Sequence, residues 1–486
     1  MNNNQPVSFA LSDGLFDFTP EVFENGVMLS NMFCDFLYLE RQEFDEVISG
    51  DFFNNKSLKN KLIKNRFFYE SREDFINTSS LLYRKLKGFH FSGTVLHIFV
   101  LTLNCNLKCL YCQATAGHAN SSKSMSVETA DVCLNRAFET LSNNIDIEFQ
   151  GGEPLLNFPV LQHIVLIASK LAKQKNKKVT FSVVTNLSAL TEDMAEFLAS
   201  HDVNIAVSLD GSKEIHDFNR AHSNPDLSNF DDVVKGLDIL RRFYKGPSNR
   251  INALLTITNK SFGHIDEIID AYALLGFQSI GVRPLSQLGV AKENWVEIGY
   301  SPEDFGQYYY SFLVNLLNRS LRGGFNIVEF HARMFLQKIF SKAPINHMEF
   351  RSPCGAAIGQ ITYNWDGNAF TCDEGRMLAS MGDNTFQLGN VFNNSYQSML
   401  DSTKVKAIVN SSCMESLPDC SYCVFQPLCG VCPIYNYSKY GDLYRSSCND
   451  YLCQTRKEIF KAFFKILFEG PEELKGRLVK WGQADE

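Results

Sequence analysis

The chain has 486 residues, 45% of them hydrophobic and 21% charged, an ordinary globular balance with room for roughly two to four domains. A net charge of −8 argues against a general nucleic-acid footprint, and no apolar run is expected to be long enough to span a membrane. The opening MNNNQPVSF lacks the basic and apolar regions of a signal peptide, so a cytosolic protein is expected. Its 14 cysteines are many for that compartment, where disulfides are disfavoured and clustered thiols more often bind metal. Cys34 and Cys133 stand alone and read as small buried hydrophobes.

Four regions and a tail follow in chain order. Residues 1–92 are mixed and contain VMLSNMFCDFLYLE, two short strands joined by a tight polar turn. Helices follow around QEFDEVISG, LKNKLIKNRFF and EDFINTSSLLYRKLKGF. From 93 to 300, the apolar strands TVLHIFVLTL, IDIEFQ, KVTFSVVT, VNIAVSLD, INALLTIT and SIGVRPL alternate with amphipathic helices. That alternation predicts a parallel sheet covered by helices, an α/β fold built as a partial or full (β/α)6 TIM-like barrel. In such barrels the chemistry sits at the C-terminal strand ends. Residues 301–350 read as a helical bridge, 351–455 as a cysteine-rich domain and 456–486 as a closing helix and tail.

Directly after the first barrel strand, LTLNCNLKCLYCQA places Cys105, Cys109 and Cys112 in a C-x3-C-x2-C loop. That spacing lets three thiolates hold three irons of one [4Fe-4S] cubane and leaves the fourth iron open. The open iron suits the amino and carboxylate groups of S-adenosylmethionine (SAM). A structural zinc loop completed by His118 is the alternative. Gly151-Gly152-Glu153-Pro154 ends the second strand, where glycines admit close backbone approach. Thr185 and Asn186 end the third, with Ser182 just before them. After the fourth comes SLDGSKEIHDFNR, carrying Ser208, Asp210, Asp217 and Arg220. An Asp217–Arg220 surface ion pair at i, i+3 is the plain reading of the last two.

In this order the motifs resemble those of the radical SAM superfamily. The resemblance implies that Cys105, Cys109 and Cys112 bind the cluster that cleaves SAM to a 5′-deoxyadenosyl radical. It implies that Tyr111 packs on the adenine and that Gly151, Gly152 and Glu153 receive the amino group. Thr185 and Asn186, with Ser182 as a second candidate, would reach the ribose. Ser208 and Arg220 would meet the carboxylate, with Asp210 beside them. Leu187 stands where that family usually has glycine.

The late cysteines, Cys354, the G-x4-C of Gly367–Cys372, then Cys420-x2-Cys423-x5-Cys429-x2-Cys432, Cys448 and Cys453, resemble a SPASM domain one residue short in its last step. Zinc knuckles are the alternative for these pairs. The resemblance implies two auxiliary [4Fe-4S] clusters, three in all. Cys354, Cys372 and Cys432 would hold one, with Cys448, Cys413 or an open iron completing it. Cys420, Cys423 and Cys429 would hold the other, with Cys453 as the better fourth ligand and Cys448 as the alternative.

Residues 20–70 resemble a winged-helix peptide-recognition module, with an unrelated capping subdomain as the alternative. The whole chain resembles maturases of His-Xaa-Ser systems and darobactin-type cross-linking enzymes. That implies a ribosomally made precursor peptide as partner, its leader adding a strand to the module, and a flavodoxin- or ferredoxin-type reductant. The implied reaction is an oxidative side-chain cross-link, with Asp373 or Glu374 as base; the plainer reading of those two acids is a solvated surface pair. The alternatives are a sulfatase-maturating or other SPASM oxidase acting on one residue, and a non-enzymatic electron-transfer or peptide-binding protein.

Overall fold

A computed structural model describes residues 10–11, 14–16, 18–114, 123–245, 250–323, 325–342, 348–444 and 450–483. The predicted strands form in their predicted places: β1 (Leu96–Thr102), β2 (Asn144–Gly151), β3 (Lys178–Thr185), β4 (Asn204–Ser208), β5 (Ile251–Thr256) and β6 (Ser279–Arg283). They pair in parallel in sequence order. β1 is buried on both faces from His97 to Thr102, which is why it reads as an unbroken apolar run rather than an alternation.

Pro154–Lys175 is apolar enough over its length, with a mean hydropathy of 1.5, to meet the criterion for a membrane span. This corrects the expectation that no such run exists. In the fold its main part, Phe158–Lys175, is a barrel helix that buries Leu161, Ile164, Val165 and Ala168 in the core.

The sheet does not close. Beyond β6 it gains Val328–Glu329, and beyond β1 it gains Gln360–Tyr363 in parallel, then the antiparallel pair Asn368–Phe370 and Gln387–Asn390. The result is one ten-stranded sheet: six barrel strands, one from the helical bridge and three from the cysteine-rich region.

The N-terminal region has its own core of Val27, Leu29, Leu37, Leu39, Phe52, Leu58 and Leu62. Its three-stranded sheet runs Thr19–Val22, Gly26–Ser30, Phe36–Glu40, followed by helices Arg41–Ser49 and Lys56–Lys64. The first of these strands escapes sequence detection because Pro20 interrupts it, as befits an edge. Tyr38 fastens this unit to the C-terminal helix region. Its ring stacks on Phe468 at 5.2 Å and its hydroxyl donates to Glu469 at 2.6 Å. Asp35 is paired with Arg66 and, at 2.8 Å, with Lys342.

Candidate active site and cysteine centres

The loop after β1 is strapped down from three sides. Its short strand Leu107–Cys109 pairs antiparallel with Arg220–His222, bringing Arg220 opposite Cys109. The Leu110 amide donates to Asn219 O at 2.9 Å, and Cys112 O accepts from the Val290 amide at 3.0 Å. The Leu107 amide donates to Cys105 Sγ at 3.4 Å. The turn after β2 packs directly beneath this loop. A Cβ on Gly151 would lie 2.2 Å from Thr102 O, and one on Gly152 2.0 Å from Asn104 O. Gly151 also sits at φ 137°, open to glycine alone.

These elements enclose a cleft of ≈1040 Å³, open to solvent, at the C-terminal end of the barrel. Cys105, Cys109, Cys112, Tyr111, Gly151, Gly152, Glu153, Thr185, Asn186, Ser208 and Arg220 all line it. Sequence positions more than a hundred residues apart thus meet in one place. The all-thiol donor set beside a roomy cleft fits an iron–sulfur cluster with an exchangeable ligand. Among the described residues, no three ligand side chains converge closely enough to hold a single ion. His118, the zinc alternative, lies outside the described residues.

Each supporting residue has a definite partner. Glu153 is 1% exposed. One of its oxygens accepts from Thr185 Oγ1 at 2.8 Å and the Leu155 amide at 3.0 Å, the other from the Asn186 amide at 2.8 Å. Burial raises its carboxyl to about 6, against the pull of those hydrogen bonds. Glu153 therefore ties β2 to β3 besides facing the cleft.

Asp210 is fully buried and collects three donors: the Tyr111 hydroxyl, the Thr256 amide at 3.2 Å and the Arg220 guanidinium at 3.1 Å. Arg220 lies over the Tyr111 ring at 5.2 Å. The surface pair Asp217–Arg220 does not form. Asp217 accepts from Ser228 and the Phe230 amide instead, because Arg220 turns inward. Ser182 donates to Glu148 at 3.4 Å. Asn186 directs its amide at Cys105 Sγ (3.9 Å) and Asn106 (3.3 Å).

Leu187 adopts φ 60°, the left-handed region in which glycine is ordinarily found. It is held there by burial and by hydrogen bonds of its amide to Thr185 Oγ1 and its carbonyl to the Leu190 amide. Gly236 opposite leaves it room, since a Cβ there would lie 2.7 Å from Leu187 Cβ.

The late cysteines form two centres. Cys354, Cys372 and Cys432 share a small apolar cluster with Leu378, Phe386 and Ile408, and they sense one another electrostatically. Glu374 interacts with all three and hydrogen-bonds Cys372. Burial, then Glu349 and Asp373, push its carboxyl above the usual range.

Cys420, Cys423, Cys429 and Cys453 ring a separate hollow of ≈590 Å³, with Cys432 at its rim. Burial raises the thiols of Cys423 and Cys453 to about 11 and 12. The donor set and the hollow fit a second auxiliary cluster, with Cys453 in the preferred fourth place. Cys413 joins neither group: its thiol donates to Val409 O at 3.2 Å. Cys448 lies outside the described residues. Cys34 and Cys133 are buried, as expected.

Asp373 and Glu374 are not a solvated pair. Asp373 is 9% exposed and bound through Oδ1 to Arg376 Nε at 3.1 Å and Nη2 at 2.7 Å. Cys372 caps their helix, Asp373–Ser380, and turns its first residues inward. Sequence reasoning missed Arg376. It is 1% exposed, lines the cleft, and its Nη1 has no partner among the described residues. A lone arginine after two acids reads as surface, and only the fold buries it.

Residues 99–271 match the radical SAM superfamily. The chain is 25% identical over 333 residues to a cysteine-type anaerobic sulfatase-maturating enzyme of Clostridium novyi, spanning 67% of this chain and 84% of that one. Among solved structures it resembles native anSMEcpe with bound AdoMet and a peptide, with TM-score 0.64, 22% identity, and 78% and 98% of the two chains covered. It also resembles Streptococcus suis SuiB bound to precursor peptide SuiA, with TM-score 0.55, 16% identity, and 92% and 100% covered. With its motifs assembled at successive strand ends, the chain carries a radical SAM domain over residues 99–271 and has maturases among its relatives.

Proposed function

We propose that the protein oxidatively cross-links side chains of a ribosomally made precursor peptide, through a C–C or ether bond that involves an aromatic residue. The observation that carries this reading is the N-terminal sheet-and-helix unit, built on its own core and fastened to the cysteine-rich half. The SuiB likeness covers 92% of the chain. A leader peptide adds a strand to such a sheet by main-chain hydrogen bonding. The protein works in a reducing compartment and takes electrons from a flavodoxin- or ferredoxin-type donor.

Cys105, Cys109 and Cys112 hold the SAM-binding cluster. Cys354, Cys372 and Cys432, with Glu374 beside them, and Cys420, Cys423, Cys429 and Cys453 hold two more. When bound, the SAM-loaded cluster supplies the adenosyl radical that takes a hydrogen from the peptide. The chain's own residues set the stage. Tyr111, fixed through Asp210, offers its ring to the adenine. Glu153 and Arg220 receive the ammonium and carboxylate, the latter with the fork geometry a guanidinium provides. Arg376 donates through Nη1 to a substrate carbonyl and holds Asp373 by Oδ1, leaving Oδ2 to accept the substrate proton.

Co-expression with a candidate precursor peptide, followed by mass mapping, tests the proposal. A loss of two hydrogens with backbone fragments missing across a bridged span supports it. A complete fragment ladder with the change on one residue supports the second reading, a single-residue oxidase, which the likeness to the Clostridium novyi enzyme favours. No 5′-deoxyadenosine from SAM and dithionite would sink both.

A further inference from the structure

Arg456 lies between the two auxiliary centres. It sits three residues after Cys453 on the helix Tyr451–Phe464, so thiol and guanidinium leave the same helix face. The start of that helix is fixed by Asp450, which accepts from the Leu452 amide at 2.8 Å and binds Lys439 at 2.7 Å. Arg456 lines the hollow ringed by Cys420, Cys423, Cys429 and Cys453. Its Nη1 donates to Gly430 O, in the two-residue link between Cys429 of one centre and Cys432 of the other. A Cβ on Gly430 would lie 2.4 Å from Glu349 O, so this link is pressed flat with its carbonyl turned to the arginine. The guanidinium also rests on the Phe350 ring at 5.2 Å and is 7% exposed. Cys354 and Cys432 on one side and Cys429 and Cys453 on the other all feel its charge. A cation so buried is screened little by solvent, and it favours whatever negative charge gathers around it.

We infer that Arg456 is a shared tuning residue, raising the reduction potentials of both auxiliary clusters so that each takes up one electron more readily. This rests on the two-auxiliary-cluster reading above. Lys457 lines the same hollow and its charge is felt by Cys423 and Cys453, so it serves as the comparison, a cation beside one centre rather than between the two.

The test is an EPR-monitored redox titration with dithionite, on enzyme reconstituted with iron and sulfide and carrying Cys105→Ala, Cys109→Ala and Cys112→Ala so that only auxiliary signals remain. Arg456→Met should make one-electron reduction of both clusters at least about tenfold less favourable, a shift of ~59 mV per tenfold to more negative potential. Arg456→Lys should stay near the parent, and Lys457→Met should shift only the cluster of Cys420, Cys423, Cys429 and Cys453. If Arg456→Met loses auxiliary iron while Arg456→Lys keeps it, the charge is needed to hold the pair of sites, which also supports the assignment. Unchanged potentials in Arg456→Met, equal shifts in Arg456→Lys, or auxiliary iron lost in both would overturn it. A parent holding about four irons rather than about twelve before the cysteine changes would instead overturn the cluster reading beneath it.

Discussion

The two cysteine-bearing halves solve opposite problems. The loop after β1 is held by main-chain bonds to neighbouring elements and by the side chains of Asn186, Ser188 and Asn294, and its half-buried thiols face a cleft open to solvent. The late centres are set among apolar side chains, around a smaller hollow and a buried arginine. One arrangement keeps a face free for an exchangeable ligand. The other surrounds its thiols with apolar side chains. The contrast fits the proposed division of labour, with initiation in the first half and electron uptake in the second.

The sharpest way to break that contrast is to disable each half separately. Cys105→Ala should reduce 5′-deoxyadenosine formation to background while leaving the late centres loaded, at about eight irons per chain. Loss of all iron would mean the halves do not load independently. Cys453→Ala should remove about four irons and abolish product while uncoupled SAM cleavage persists. Retained product would end the proposed electron role.

Arg376 lies where the halves meet. Arg376→Gln deletes one charged donor and should slow product formation roughly ten- to a hundredfold with SAM affinity unchanged. A matching loss of SAM affinity would move the residue into the SAM site. Glu153 offers a pH signature. Its folded-state pKa, raised to about 6, means that its contribution to stability falls as pH rises from about 4.5 to 6. Binding an ammonium favours the ionised form, so SAM affinity should rise by roughly tenfold between pH 5 and pH 7. A flat calorimetric profile would remove Glu153 from ammonium binding. The smallest effect is structural: Gly236→Ala, pressed against Leu187, should cost about 1–3 kcal/mol in denaturant unfolding. In the Leu187→Gly background the same change should cost much less.

Much of this was legible in the sequence, for reasons that differ by element. The barrel strands announced themselves because parallel strands buried on both faces leave continuous apolar runs. The strand-end motifs were legible because a cofactor fixes residue type and spacing together. Thr19–Val22 was hidden by Pro20. Arg376 and Arg456 were hidden for a deeper reason. A single arginine in a polar helix carries the same local signal whether it faces water or thiols, and only tertiary placement decides. The inward turn of Arg220 and the burial of Asp373 reversed surface readings on the same ground. Leu187 was visible as a departure from glycine, but its left-handed backbone and the matching gap at Gly236 were not.

The strand Gln360–Tyr363 lies hydrogen-bonded along β1, so the barrel borrows its flank from the cysteine-rich half. Without that neighbour, β1 would present a bare row of amides and carbonyls, an invitation to pair with any passing chain. Barrel and cysteine-rich region are thus woven into one cloth. Removing the cysteine-rich half would therefore bare a flank of the barrel itself, so the two are parts of one sheet rather than modules joined by a linker.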